Sequence, residues 1–206
     1  GQAPGVAGLS DRRFTVRQAF GCAGPVERGK DEVLAAGVGR WRWGPKNETI
    51  EVSLTPADWS GLPLFAEGGA KWEAVEGYWL TQPWLRAEGC PADRVEDDVE
   101  SVPAVAAGAP QTSGLAAVYA EDSSRLGRRD GKAFMLTVRG EAPLIPTADG
   151  YRLVLEGRFS AFPDGQAIRC HSTTSDQTPV CIAAAHVDRV AFEDAEGKLL
   201  KEWRIG

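Results

Sequence analysis

The sequence predicts an all-β fold built from duplicated antiparallel β-sandwich or barrel units, with short helical turns and two disulfides. Short segments in which apolar and polar residues alternate are separated by turn residues, and helical periodicity is nearly absent. Two stretches of the chain also resemble each other at a spacing of 80 residues. The four cysteines form an even set, which favours a disulfide framework.

The internal similarity joins residues 75–90 to residues 155–170. Five positions carry the same residue types in both stretches: Glu76 and Glu156, Gly77 and Gly157, Pro83 and Pro163, Ala87 and Ala167, and Cys90 and Cys170. A similarity at a fixed spacing indicates how many structural units a chain contains. It predicts two β units, residues 10–103 and 104–206, which either form two domains or share one core. Their equivalent residues are expected to superimpose.

The first unit is expected to contain strands at residues 14–20, 38–43, 48–54 and 72–80. The second and third of these form a hairpin, in which Ile50, Val52 and Leu54 point inward. Weaker signals predict a short helix over residues 26–36 and a single helical turn around Trp59.

Residues 91–113 are acidic at first and then rich in Ala, Pro and Gly, which predicts a connection between the two units. The second unit is expected to contain strands at residues 115–120, 133–139, 151–162, 167–170, 180–193 and 198–203. Residues 151–162 are expected to form the longest strand.

Cysteine spacing predicts which disulfides form. Cys170 and Cys181 flank a polar stretch that resembles a hairpin loop, so these two are expected to pair and to leave Cys22 for Cys90. Zinc binding is the disfavoured alternative, because no two cysteines have the close spacing of a zinc site. We expect no metal and no other cofactor.

The cysteine count and the chain start together indicate the compartment. Disulfides persist in oxidising surroundings, and Gln2-Ala3-Pro4 resembles the start of a mature chain after signal-peptide removal. The sequence therefore predicts an exported protein, either periplasmic or secreted. A cytosolic protein with four free thiols is the alternative interpretation.

Charge and hydropathy exclude some partners. The net charge is -6, which repels the phosphate backbone of nucleic acids, and the densest basic cluster is only Arg125, Arg128 and Arg129. No stretch of 18 apolar residues exists that could form a membrane span. A nucleic-acid partner and a membrane span are therefore not expected.

Few residues suit catalysis. His171 and His186 are the two histidines, and strand alternation places His186 on the same face as Asp188, where they could form a ligand or acid–base pair. Glu76 and Glu156 could act as paired carboxylates, although a carboxylate before glycine more often supports a turn, a bulge or a hydrogen bond. No catalytic motif accompanies these residues, so an enzyme is not the preferred interpretation.

Tryptophan is the strongest functional signal in the sequence. Six of the seven tryptophans lie before residue 90. Aromatic rings fill β-sandwich cores but also bind ligands, and the expected ligand-binding residues are Trp41, Trp43, Trp72 and Trp84. The preferred hypothesis is an exported non-enzymatic binding or cell-envelope protein, with a glycan or an envelope protein as its partner. A carbohydrate-binding module that uses the Trp-rich first half and a hydrolase with a carboxylate or histidine site are the alternatives.

Overall fold

The computed structural model describes residues 8–22, 24–26, 36–66, 72–80, 89–90, 113–121, 124–139, 150–172 and 179–205. These residues form eleven strands: β1 Arg13–Phe20, β2 Gly39–Trp43, β3 Thr49–Leu54, β4 Ala57–Asp58, β5 Trp72–Trp79, β6 Ser113–Ala120, β7 Phe134–Arg139, β8 Tyr151–Phe159, β9 Ile168–His171, β10 Val180–Glu193 and β11 Leu199–Arg204. The predicted all-β class is confirmed. The expected helix over residues 26–36 and the expected connection over residues 91–113 lie almost entirely outside the described residues.

Helical structure is sparse in the described ranges. A 3-10 turn occupies Pro45–Asn47, and one α-helix, α1, spans Pro63–Ala66. None of the described helices is long and apolar enough to cross a membrane. The helical turn expected around Trp59 is wrong: Ala57 and Asp58 pair with β5 as a short strand, and the helix begins only at Pro63, a favourable first helical residue.

The strands form two sheets. The larger sheet has the order β1-β8-β10-β6-β5-β4, and β9 and β11 also pair with β10. The smaller sheet has the order β2-β3-β7. Both sheets are open, so the barrel form of the prediction is wrong. The longest described strand is β10, with 14 residues, whereas β8 covers only 9 residues of the predicted 151–162 segment.

Alternation in the sequence explains how the two sheets pack. In β3, Ile50, Val52 and Leu54 are buried and the residues between them are half-buried, as the hairpin pattern predicts. These side chains join one core cluster with residues from the large sheet, such as Leu155 and Phe192. This core contains residues from both predicted units, so the halves of the chain share it.

A second core covers part of the outer face of the large sheet. Trp59, from the segment between β4 and α1, lies in this core with Phe65 and Phe162. Its indole packs directly over Gly77 of β5 and Gly114 of β6, and a Cβ atom at either glycine would overlap the ring. The two strand glycines are therefore explained by the close approach of a tryptophan.

Both disulfides form as predicted. Cys22 and Cys90 are joined across a sequence separation of 68 residues, and Cys170 is joined to Cys181 across 11 residues. Cys170 and Cys181 are also direct neighbours in the antiparallel pair β9–β10, which confirms the hairpin interpretation. In the chain-entropy model, closing loops of these lengths stabilises the fold by about 3–4 kcal/mol each.

The structure does not confirm the duplication. β5 lies between β4 and β6, whereas β8 lies between β1 and β10. Gly77 makes room for the Trp59 ring, whereas Gly157 makes room for the backbone of β10 at His186. Glycine is therefore required at these two equivalent positions for different reasons: a tryptophan ring at Gly77 and a strand backbone at Gly157.

We expect Gly77→Ala to destabilise the protein by about 1–3 kcal/mol, because the added methyl overpacks the space beneath Trp59. In a Trp59→Ala background, the same change should cost much less, because the overlapping ring is gone. Urea unfolding of the four proteins in this cycle measures the coupling. Equal costs of Gly77→Ala in both backgrounds would show that the ring does not dictate glycine at this position.

Candidate functional site

The candidate site lies where β10 changes neighbours along one edge. Up to Ala185, this edge pairs with β6, and from Arg189 onward it pairs with β11. Residues 186–188 lie between these two pairings, so β6 and β11 diverge there. The backbone N–H of Ile205 donates to the carbonyl oxygen of Asp188 at 2.8 Å and closes one end of the gap. We call the resulting depression the fork groove.

A β-bulge shapes the groove. On its other edge, β10 pairs with β8, and the register shifts between Val187 and Arg189, so that Asp188 is the extra residue. The backbone of His186 approaches Gly157 so closely that a Cβ atom there would overlap its carbonyl oxygen. The bulge resets the alternation, so His186 and Arg189 both lie on the outer face of the sheet.

The fork groove has a volume of about 380 Å³ and is open to solvent. This volume falls within the range of roughly 300–1,000 Å³ that is typical of ligand sites. Its apolar lining comes from Ala117, Val118, Leu126, Ala185, Val187 and Ile205. Its polar lining comes from Asp11, Tyr119, Ser124, Arg158, His186 and Asp188.

Charged groups gather at the β8 side of the groove. Arg158 is the direct cross-strand neighbour of His186 on β10 and of Arg13 on β1. Nε of Arg158 lies 3.5 Å from Oδ2 of Asp188. All three basic side chains belong to exposed residues, so they face solvent. Two arginines directly opposite each other repel, which is unfavourable for a purely structural strand pair.

The sequence placed His186 and Asp188 on one strand face, and the structure places both in the lining of one groove. No hydrogen bond or ion pair joins them within the described part of the chain. The bulge is the reason, because it interrupts the alternation that would set the two side chains parallel. His171 lies apart from the groove, at the end of β9.

The wall of the groove opposite β10 comes from the loop of residues 124–131. Ser124 and Leu126 of this loop face the groove, and Leu126 is 71% exposed. The loop is held by Glu76 of β5, whose Oε1 accepts hydrogen bonds from the backbone N–H groups of Arg129 and Asp130 at 2.6 and 2.8 Å. Glu76 is only 5% exposed, so this contact is an internal anchor.

Ion pairs reinforce the anchor. Arg125 and Arg128 both pair with Glu73 of β5, and Arg128 also pairs with Asp130. The guanidinium of Arg129 stacks on the Phe134 ring at 4.5 Å and donates to the carbonyl oxygen of Ala133 at 2.8 Å. The basic cluster that the sequence shows is therefore used within the protein to hold the loop.

Burial sets the protonation of the groups behind the groove. It raises the pKa of Glu76 above its ordinary value of 4.5, although the two backbone N–H donors act in the opposite direction. Burial, followed by the negative charge of Glu76, raises the pKa of Tyr119 to about 12. Tyr119 therefore presents a neutral phenol to the groove at physiological pH.

Glu76 and Glu156 do not form a carboxylate pair. Glu76 anchors the loop, whereas Glu156 pairs with Arg189 at 2.7 Å on the outer face of the sheet. The structural interpretation of Glu76 has direct support, because its Oε1 receives two backbone hydrogen bonds. Among the described residues, no three His, Cys, Asp or Glu side chains are grouped to hold a metal ion.

The expected tryptophan site is not assembled within the described residues. Trp41 is 2% exposed in the shared core, and its Nε1 donates to the carbonyl oxygen of Gly21 at 3.2 Å. Trp43 packs against it edge-on at 5.8 Å, and Trp72 is half-buried on β5. Trp84 lies outside the described residues. A ligand role for these residues stays a prediction, and Trp41 could serve it only if the core opened.

Comparison of the chain with protein-family models, with curated proteins and with solved structures gives no match. The candidate site therefore rests on its own geometry. Alternation alone did not identify Arg158, which lines the groove, or its cross-strand neighbour Arg13. Their signal was present in the alternation of β1 and β8, which places both on one face, but only the strand pairing shows that they are neighbours.

We expect Glu76→Ala to destabilise the protein by about 2–4 kcal/mol, because two backbone N–H groups would lose their buried acceptor. Glu76→Gln should cost less, because its amide oxygen can still accept both hydrogen bonds. Urea unfolding at pH 7 measures both changes. Equal losses for Ala and Gln would show that the side-chain oxygen does not anchor the loop.

The raised pKa of Glu76 also predicts a pH dependence. An acid with a raised pKa in the folded state favours folding most when it is protonated, so this contribution is lost as the pH rises from 4.5 through the folded-state pKa. The free energy of unfolding of Glu76→Gln, relative to that of the wild type, should therefore increase between pH 4.5 and pH 7. Paired urea titrations across this range check the sign, and a decrease would contradict it.

Proposed function

We propose that this chain is an exported binding protein and that its ligand occupies the fork groove. The observation that carries the proposal is the composition of the groove, in which an apolar lining meets the basic side chains of Arg158 and His186. Ligand sites characteristically combine a mostly apolar surface with a few polar groups that fix orientation. In the described part of the chain, neither Arg158 nor His186 uses its side chain in a hydrogen bond.

Export is supported by the two disulfides, which persist in oxidising compartments. We place the protein in the periplasm or outside the cell, where it would bind a small molecule, a glycan or part of an envelope protein. Within that setting, a disulfide-linked all-β protein can present an open groove to a ligand.

A hydrolase is the second candidate function, because His186, Asp188 and Ser124 line one groove. A serine nucleophile needs a histidine base within hydrogen-bond reach, and the base needs an orienting partner. No such hydrogen bonds connect these three residues within the described ranges. A panel of ester, amide and glycoside substrates, tested with wild type and His186→Ala, decides between the candidates: turnover that this change abolishes would favour the hydrolase.

Carbohydrate binding through tryptophan has weaker support from the described residues. Trp41 and Trp59 are buried in the two cores, and Trp43, Trp72, Trp79 and Trp203 are half-buried. Stacking on a sugar requires an exposed ring face. In the fork groove the aromatic ring of the lining is that of Tyr119, which is half-buried as well.

The two histidines provide a direct test of the groove. In proton–carbon NMR spectra, the imidazole signal of His186 should move on titration with a ligand, whereas that of His171 should stay unchanged. A library of metabolites, peptides and glycans is screened on this signal. His171→Gln and His186→Gln assign the two resonances. Ligands that bind measurably but leave His186 unmoved would contradict the proposed location.

A further inference from the structure

We infer that the Cys170–Cys181 disulfide is a thiol-exchange site, at which the thiolate of a small thiol or of a protein dithiol attacks Sγ of Cys170. The other disulfide, Cys22–Cys90, is structural and exchanges more slowly in the folded protein. This inference goes beyond the proposed binding function, because it concerns a different part of the molecule and does not need the fork groove. It rests on the exposure of Cys170, on the position of its strand and on the contacts that hold this strand.

Exposure distinguishes Cys170 from the other three cysteines. Cys170 is exposed, whereas Cys22, Cys90 and Cys181 are half-buried. A thiolate has to reach a disulfide sulfur directly, so the rate of exchange depends on which sulfur is accessible. Exposed disulfides are typically the labile, regulatory or catalytic ones. The difference in exposure therefore assigns Cys170 as the attacked residue and Cys181 as the leaving group.

The strand that carries Cys170 lies at the margin of the large sheet. β9 has four residues, none of them buried, and among the described strands it pairs with β10 alone. Within this pair, Cys170 is the direct cross-strand neighbour of Cys181. Elements with little buried surface open locally at a low cost in free energy. A thiol can therefore approach this disulfide without unfolding either core.

The Cys22–Cys90 disulfide has a more crowded environment. Sγ of Cys90 lies so close to Gly150 that a Cβ atom there would be only 3.2 Å from the sulfur. Cys22 follows the end of β1, where Phe20 is 4% exposed in the shared core. Neighbouring backbone and core therefore obstruct an incoming thiolate. Because both disulfides belong to one chain, Cys22–Cys90 serves as an internal control.

Contacts besides the disulfide hold β9 in place. Nη1 of Arg169 donates to the carbonyl oxygen of Leu64 in α1 at 2.9 Å, and its Nη2 lies 3.0 Å from Oδ2 of Asp164. The same guanidinium stacks on the ring of Phe162, a residue of the second core, at 4.6 Å. β9 also pairs with residues 180–183 of β10. We therefore expect the strand to stay paired after the S–S bond opens, with the two cysteines still opposite each other and able to re-form the disulfide.

The exchange balances as two thiol–disulfide steps. A thiolate R–S⁻ forms a bond to Sγ of Cys170 while the Sγ–Sγ bond breaks, and the electron pair leaves on Sγ of Cys181, which takes a proton from water. A second thiolate, from another small molecule or from the same dithiol, then attacks the R sulfur of the mixed disulfide. This step releases Cys170 as a thiolate, which is protonated in turn. The thiol reagent is oxidised to its disulfide by two electrons, and the protein disulfide is reduced to two thiols.

The test exposes the full chain, with both disulfides formed, to two probes in separate arms: reduced glutathione as a small thiol and reduced thioredoxin as a protein dithiol. Samples are quenched with acid at intervals, free thiols are alkylated, and peptide mass spectrometry follows each cysteine. We expect Cys170–Cys181 to open at least about tenfold faster than Cys22–Cys90 in at least one arm. The comparison of the arms distinguishes a small-thiol site from a protein-dithiol site. At early times, the glutathione adduct should lie on Cys170 and the alkyl group on Cys181.

Cysteine variants test which sulfur is accessible. Cys181→Ser leaves Cys170 as a free thiol, and Cys170→Ser leaves Cys181. With oxidised glutathione as the probe, the Cys170 thiol should react at least about fivefold faster than the Cys181 thiol. Cys22→Ser and Cys90→Ser are the matched controls, and their remaining thiols should also react more slowly than that of Cys170. Thermal unfolding shows whether each variant is folded, and the measurement on the wild-type chain needs no variant.

The imidazole signals of the two histidines report the location in the same samples. His171 follows Cys170 in the sequence, so its signal should move when Cys170 reacts, whereas the signal of His186 in the fork groove should stay unchanged. Equal opening rates for the two disulfides, faster opening of Cys22–Cys90, or a glutathione adduct mainly on Cys181 would each overturn the inference. So would a Cys170–Cys181 disulfide that stays closed with both probes.

Discussion

The large sheet depends on one strand, β10, which pairs with four other strands. β10 pairs with β9 and then β8 along one edge, and with β6 and then β11 along the other. The parallel partner β6 pairs with this edge up to Ala185, and the antiparallel partner β11 pairs with it only from Arg189 onward. A gap therefore separates the two partners along this edge. The gap falls at residues 186–188, and the extra residue Asp188 keeps the strand in register with β8 across it. The groove is thus a consequence of how the sheet changes partners.

A gap in a sheet exposes apolar surface unless something covers it, and the loop of residues 124–131 covers only one side. Glu76 anchors this loop from inside the protein through two backbone hydrogen bonds. Placing a carboxylate at a position that is 5% exposed is unfavourable in itself, as its raised pKa shows. The Glu76 side chain still stabilises the fold, because burying the backbone N–H groups of Arg129 and Asp130 without an acceptor would cost more free energy. The wall of the groove is therefore fixed by the same balance of burial and hydrogen bonding that holds the core.

The sequence predicted the parts of this fold that depend on local patterns. Alternation located the strands β1, β3, β10 and β11, and cysteine spacing identified both disulfides. The glycine after Glu156 suggested a turn, a bulge or a hydrogen bond, but the sequence could not place the extra residue at Asp188, because that position depends on the close approach of Gly157 to the neighbouring strand. It also could not connect Glu76 to a loop more than fifty residues away. The repeated Glu-Gly pair was misleading because each glycine meets a different neighbour.

The concentration of tryptophan in the first half also has a physical explanation in the described structure. That half contributes β2 and β3 of the small sheet and residues 57–66, which cover the outer face of the large sheet. Each of these layers has few residues, so large side chains are needed to exclude water from the core beneath it. Trp41 does so between the sheets, and Trp59 does so over Gly77 and Gly114. The second half instead contributes the strands β8, β10 and β11, whose outer face carries arginines and acids. The apolar cover therefore ends where the charged face begins, and the fork groove lies at that boundary.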